Sequence, residues 1–214
     1  SINQLIPLHE NEKLSIGLIT SDGRFKRVGI QEILEMSGRA ASILKLKENI
    51  KVKASVLCHL SEYLIIVSDL GRILKIKIDE DLLPIMGKLA QGSVIMKLFP
   101  NENIIGAVCA NNKEDIILVT NNGTLTKQKT KEIRNCIKGD LGVIAMVFKN
   151  KKEKVIQIFK SNQTITIITS KGKQTRVSKD DINQLNYNKS TLKNINLDKD
   201  EYLVDIIPLI DNNV

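Results

Sequence analysis

Four stretches of the chain share one alternation of apolar and polar positions. Each opens on Ile, Val, Leu and Thr, passes through a polar turn that ends in Gly, and resumes in a second run carrying Lys or Arg. They read IGLITSDGRFKRV from Ile16, LIIVSDLGRILKI from Leu64, IILVTNNGTLTKQ from Ile116 and ITIITSKGKQTRV from Ile165. Strand-forming residues on both sides of such a turn predict a β-hairpin, because Gly alone reaches positive φ without a Cβ clash. The turn glycines Gly23, Gly71, Gly123 and Gly172 are 48, 52 and 49 residues apart.

Each hairpin is followed by a variable stretch, a third apolar run and a closing strand. The third runs are SILKLKEN, SVIMKLFPNEN, GVIAMVFKNKKE and LKNINLDKDE; the closing strands are VKASVLCHL, IIGAVCANN, VIQIFKSN and YLVDIIPLI. About four strands in roughly fifty residues is the period of a radially repeated, blade-built β architecture, in which each sheet covers the next. The expected fold is therefore all-β, a propeller-like disc of four-stranded blades. The whole chain, 1–214, is read as one domain with repeat units of roughly 14–60, 61–110, 111–161 and 162–210. Only Ile30–Met36 suits a turn or two of helix. Asn3–Leu8 repeats the pattern of Val204–Leu209, so residues 1–10 are expected to be a stray closing strand. Together with a start at Ser1, this suggests a fragment of a longer protein whose ring is open or cropped.

Charge narrows the choice of partner. Thirty-two Lys and Arg against 24 Asp and Glu leave +8 on 214 residues, which favours an anionic partner. Four Phe, three Tyr and no Trp disfavour single-strand readers that stack bases on aromatic platforms. Cys58, Cys109 and Cys136 are scattered and only two histidines are present, so no zinc site is expected. No phosphate-binding P-loop and no G-x-S-x-G occur, and the apolar runs are far shorter than a membrane span of about 20 residues. Cys58 and His59 are neighbours on a strand and should point to opposite faces, which argues against a nucleophilic dyad. Tyr63, Tyr187 and Tyr202 read as packing or rim residues, and the acidic pairs as solvated loop charges. No catalytic residue, metal, cofactor or small-molecule substrate is expected.

The residue four after each turn glycine is basic in all four units: Arg27, Lys75, Lys127 and Arg176. The residue directly after it is basic in three, Arg24, Arg72 and Lys173. A position recurring in every blade occupies equivalent places around the disc, and a basic belt there would suit duplex phosphates. The same pattern would also arise if strand-edge cations merely discouraged edge-to-edge pairing.

IGLITSDGRFKRV with ILKLKEN, and LPIMGKLAQGSVIMKLFPNENIIGAV (Leu83–Val108), resemble blades of the C-terminal domain of bacterial type IIA topoisomerase A subunits, of the gyrase and topoisomerase IV kinds. The resemblance spans nearly the whole chain. It implies a β-pinwheel whose blades exchange strands and whose basic rim binds double-stranded DNA without sequence preference and bends it toward the cleavage core. It also implies the partners: the remainder of the topoisomerase chain and its ATPase partner, the B subunit, in a bacterial cytoplasm, at the nucleoid, or in a plastid. The reaction chemistry would lie outside this domain. Gyrase carries a box similar to Q-R-R-G-G-R-G in one blade. Two degenerate counterparts are present here, one keeping Gly38 and Arg39, the other Gly87, Lys88 and Gly92. Arg27, Lys75, Lys127 and Arg176 are the first-choice phosphate contacts, with Arg24, Arg39, Arg72, Lys88 and Lys173 behind them. The alternative is a propeller scaffold that binds an acidic protein partner.

Overall fold

The computed structural model describes residues 6, 14–36, 42–148, 150–187, 190–191 and 197–209. The chain begins with strands β1 (Leu14–Thr20) and β2 (Arg24–Gly29), helix α1 (Ile30–Leu34), then β3 (Val52–His59), β4 (Tyr63–Ser68), β5 (Arg72–Lys77), β6 (Ser93–Val94) and β7 (Ile104–Ala110). It continues through β8 (Asp115–Thr120), β9 (Thr124–Lys129), a 3-10 turn at Thr130–Glu132, β10 (Val143–Ile144) and β11 (Val155–Lys160). The last elements are β12 (Ile165–Thr169), β13 (Gln174–Val177), α2 (Lys179–Asn183), β14 (Ser190–Thr191) and β15 (Leu203–Pro208). The expected stray strand at 1–10 lies outside the described residues apart from Ile6.

All four hairpins form, and the turn glycines adopt φ of +79°, +78°, +79° and +78°. The third apolar runs behave differently from hairpin strands. The first, Ser42–Asn49, forms no strand; in each of the other three units only two residues pair, at or just before the run, and they pair with the sheet of the preceding module. The sheets are ordered β3-β1-β2-β6, β10-β5-β4-β7, β11-β8-β9-β14 and β13-β12-β15. Strands β6, β10 and β14 each cross back to the outer edge of the blade before their own. This is the strand exchange that a pinwheel requires. The crossing strand runs over the turn glycine: Ile95 N donates to Gly23 O at 2.8 Å and Ala145 N to Gly71 O at 2.9 Å. A Cβ at Gly71 would lie 2.7 Å from the Met146 carbonyl, so this turn needs Gly for space as well as for φ.

Continuous apolar runs such as Leu64-Ile-Ile-Val67 arise because both faces of each inner sheet are covered. Leu64 and Ile66 pack with Ile19, Phe25, Val56 and Cys58 of the first blade. Ile65 and Val67 point the other way, to Ile116, Leu118 and Ile158 of the third. Ile117 and Val119 in turn meet Ile165, Ile167 and Ile206 of the fourth. Each buried aliphatic side chain contributes about 1.5–3 kcal/mol, so the cores lie between blades and not within any one of them. The closing strands β3, β7, β11 and β15 are innermost and line a hub cavity of ≈ 760 Å³. Helix α1 forms where expected. Helix α2 and the 3-10 turn are additions to the expected elements; α2 starts at Ser178, whose Oγ accepts from Asp181 N at 3.2 Å.

Candidate nucleic-acid interface

The basic position four after the turn glycine is not a belt on the surface. Arg27 is 1% exposed, Lys75 2% and Lys127 6%. Their register is identical, since Arg27, Lys75, Lys127 and Arg176 stand opposite Gly17, Ile65, Ile117 and Thr166. In three blades the following module lays a turn or short helical segment over the side chain, and the cation bonds to that segment. Arg27 donates to the Asp79 carbonyl at 3.4 Å and forms an ion pair with Glu80. Lys75 Nζ donates to the carbonyls of Thr130 and Ile133 at 2.9 and 3.4 Å and to Asn112 Oδ1 at 3.1 Å, and sits 4.1 Å from the Tyr63 ring centre. Lys127 Nζ donates to the Asn183 carbonyl at 3.0 Å and lies 3.6 Å from Asp115. Burial pushes the Lys75 ammonium below its ordinary pKa.

Arg27, Lys75 and Lys127 are therefore inter-blade struts, which corrects their assignment as phosphate contacts. A cation held this deep cannot reach a phosphate without unseating the next module. Arg176 is exposed on β13, where no strand of a following module pairs among the described residues. Among the described residues nothing covers it as its counterparts are covered.

Arg72 is corrected in the same way. Nearly fully buried, it binds Glu102 with two nitrogens, one at 2.8 Å, donates to the Lys97 carbonyl at 2.9 Å and stacks 4.3 Å from the Phe99 ring centre. Burial pushes the Glu102 carboxyl up, but hydrogen bonds from Arg72, Ser68 and the Phe99 amide, with the Arg72 charge, outweigh it and hold the pKa below the usual value. Arg24 is half-buried, 3.3 Å from Asp22 and donating to the Gly92 carbonyl at 3.1 Å. Lys173 and Lys88 are exposed, as is Gly87. Gly92 has φ +78°, and a Cβ there would meet the Phe25 carbonyl at 2.6 Å, so its role is to seat the exchange strand. Gly38 and Arg39 lie outside the described residues.

Exposed cations lie on and beside the exchange segments, and on the segment before β3. Lys88 and Lys138 occupy the same place in two equivalent turns, Gly87–Ala90 and Ile137–Asp140, each closed by a backbone hydrogen bond (3.1 and 3.2 Å). The second turn rests on the neighbouring exchange strand, with Gly139 N donating to Ile95 O at 3.0 Å, Lys97 N to Asp140 O at 3.0 Å, and Lys97 Cε 3.7 Å from the Cβ position of Gly139. Lys45 and Lys47 line one small cleft with Arg24, Gln91 and Asp22, the last of which pairs with Arg24. Lys45, Lys47, Lys88, Lys97 and Lys138 are all exposed, and none has an acidic partner within 4.0 Å among the described residues. A signal for this group was present in the sequence: Lys88 and Lys138 each stand four residues before a glycine, Gly92 and Gly142.

Among the described residues no catalytic constellation competes with this rim. Cys58 is buried and His59 exposed, on opposite faces as expected. The Cys58 thiol faces Cys109 at 3.7 Å, and the Cys109 thiol is pushed well above its ordinary pKa by its hydrogen bond to Cys58 and by burial. In the hub, Lys160 is paired with Glu114 at 3.0 Å. Among the described residues no cluster of three His, Cys, Asp or Glu side chains could hold a metal, and no helix is long and apolar enough to cross a membrane.

Similarity to known proteins agrees with the fold. The chain is 29% identical over 191 residues to the DNA gyrase A protein of Helicobacter pylori, covering 87% of this chain and 23% of that protein. It is 32% identical over 157 residues to the DNA gyrase A protein of Buchnera aphidicola (71% and 18%), and 25% identical over 155 residues to the DNA topoisomerase 4 A protein of Synechocystis (68% and 17%). It thus spans about a quarter or less of the length of these curated relatives. Among solved structures, a DNA gyrase A C-terminal domain superposes with a TM-score of 0.74 at 16% identity, covering 94% of this chain and 67% of that one. The C-terminal domain of DNA topoisomerase IV gives 0.67 at 17% identity, with 95% and 63% covered. The family described as DNA gyrase C-terminal domain, beta-propeller, matches residues 18–52, 62–111, 114–162 and 163–209, one segment for each blade, and the chain belongs to that family.

Proposed function

We infer that this domain binds duplex DNA without regard to sequence and curves it over the outer rim of the disc, as part of a type IIA topoisomerase of the gyrase A kind. The observation that carries the reading is a set of exposed lysines with no ion-pair partner among the described residues: Lys88, Lys97 and Lys138 on or beside the exchange segments, with Lys45 and Lys47 on the segment before β3. They sit at the outer edges of the blades, where a rod can lie against several modules at once. Lys173, also exposed, extends the candidate contacts to the last blade. Such contacts act by releasing condensed counterions and need no base-reading element. The domain contributes no reacting group. Strand cleavage belongs to the remainder of the topoisomerase chain and ATP turnover to its ATPase partner, in a cell's DNA-containing compartment.

The test is binding of a random-sequence duplex at several salt concentrations. Reversing Lys88, Lys97 and Lys138 to Glu should reduce the slope of log affinity against log salt by about 2.7, near 0.9 per lost phosphate contact. An unchanged slope would refute the rim. Binding that is weak and independent of duplex length would instead favour a scaffold for an acidic protein.

A further inference from the structure

The same turns that carry Lys88 and Lys138 expose apolar side chains where a water-facing surface has no use for them. Leu89, at the tip of the Gly87–Ala90 turn, is 88% exposed. In the next module Ile137 is 67% exposed and Ile144 70%. These are not loose ends. The Lys88 carbonyl accepts from the buried Lys26 ammonium at 2.8 Å, Met86 N donates to Arg27 O at 2.8 Å, and Gly92 locks the far side of the loop against Phe25. Cys136 N likewise donates to Lys75 O at 2.7 Å, pinning the second turn. The fold therefore commits a buried lysine to holding an exposed leucine in place.

We propose that Leu89 is an apolar wedge that enters the minor groove and partly unstacks a base step, with Lys88 and Lys97 on the flanking phosphates and Ile137, at the start of the equivalent turn of the next blade, as a second apolar contact. The proposal rests on the DNA-binding reading above. Rigid apolar tips beside cations are what minor-groove bending proteins use: the wedge opens one step and the kink lets more backbone reach the protein. Charge complementarity favours DNA over a protein as the occupant. Each tip has a lysine next to it, and the nearby carboxylate, Asp140, is engaged by Arg134 at 3.1 Å. A wedge makes the curvature a sharp kink, whereas lysines alone would give a smooth arc.

The experiment uses a duplex with one 2-aminopurine beside a single mismatch, whose weak stacking localises the kink, together with gel measurement of bend angle. The parent should raise the 2-aminopurine fluorescence about threefold or more; Leu89→Ser should abolish that rise and reduce the bend, while affinity stays within about threefold and the salt slope is unchanged. Leu89→Met, still apolar, should restore most of the rise. If the parent binds duplex but gives no rise, or Leu89→Ser bends DNA like the parent, the wedge is wrong and the rim reading stands. If Leu89→Ser loses association with the rest of the topoisomerase with the fluorescence rise intact, the tip is a protein contact and the wedge is equally wrong. If the parent binds no duplex at all, the functional reading fails and takes the wedge with it.

Discussion

Replacing Lys75 by Met separates a strut from a DNA contact. Met keeps most of the stem volume but removes the donor that serves the carbonyls of Thr130 and Ile133. Each buried acceptor left without a partner costs about 1–3 kcal/mol. Loss of the contact with the Tyr63 ring adds about 1 kcal/mol. Against this, the ammonium no longer has to be desolvated, which offsets part of the loss. The net expectation is a destabilisation of about 2 kcal/mol, or a urea midpoint lower by about 1 M at an m-value near 2 kcal/mol/M. DNA affinity of the folded protein should stay within about twofold, since the side chain is 2% exposed. Lys75→Glu should be far worse, because a carboxylate would face two carbonyl oxygens. Paired urea melts and duplex titrations decide the matter. A Lys75→Met protein with the parent's midpoint and a clearly weakened DNA complex would refute the strut.

Three further outcomes follow from the geometry. Gly71→Ala should cost more than Gly172→Ala in urea melts, because both glycines have φ +78° but only Gly71 faces a carbonyl at 2.7 Å; the αL penalty alone is about 1–2 kcal/mol. Glu102 titrates below its usual pKa in the folded state, so its stabilisation is complete above the ordinary carboxylate range near 4.3 and is lost as pH falls through the lower folded value. Glu102→Gln should remove that part of the acid sensitivity, seen as a flatter urea midpoint between pH 6 and about pH 3. The three thiols are buried and those of Cys109 and Cys136 are raised by their surroundings, so a thiol reagent at pH 8 should react with native protein only at the rate of opening and with all three thiols in denaturant. Rapid labelling of the native protein would contradict that packing.

The hairpins and the repeat of four were legible in the chain because each depends on local chemistry. Gly supplies positive φ at its own turn whatever lies elsewhere, and a strand's two faces alternate within the strand itself. The short pairings of β6, β10 and β14 with a preceding blade were implied only by family likeness, since two residues of Ser, Val, Ile or Thr carry no address of their own. The basic position four after the glycine misled for a related reason. Recurrence around a disc shows that the places are equivalent, but a strut between modules recurs as faithfully as a surface belt. Arg176 makes the point: its register matches that of Arg27, Lys75 and Lys127, yet it is exposed because no following module pairs with β13 among the described residues. Burial there is imposed by the neighbour and not by the strand, so only the assembled blades separate the cations that hold the protein together from those left exposed at the rim.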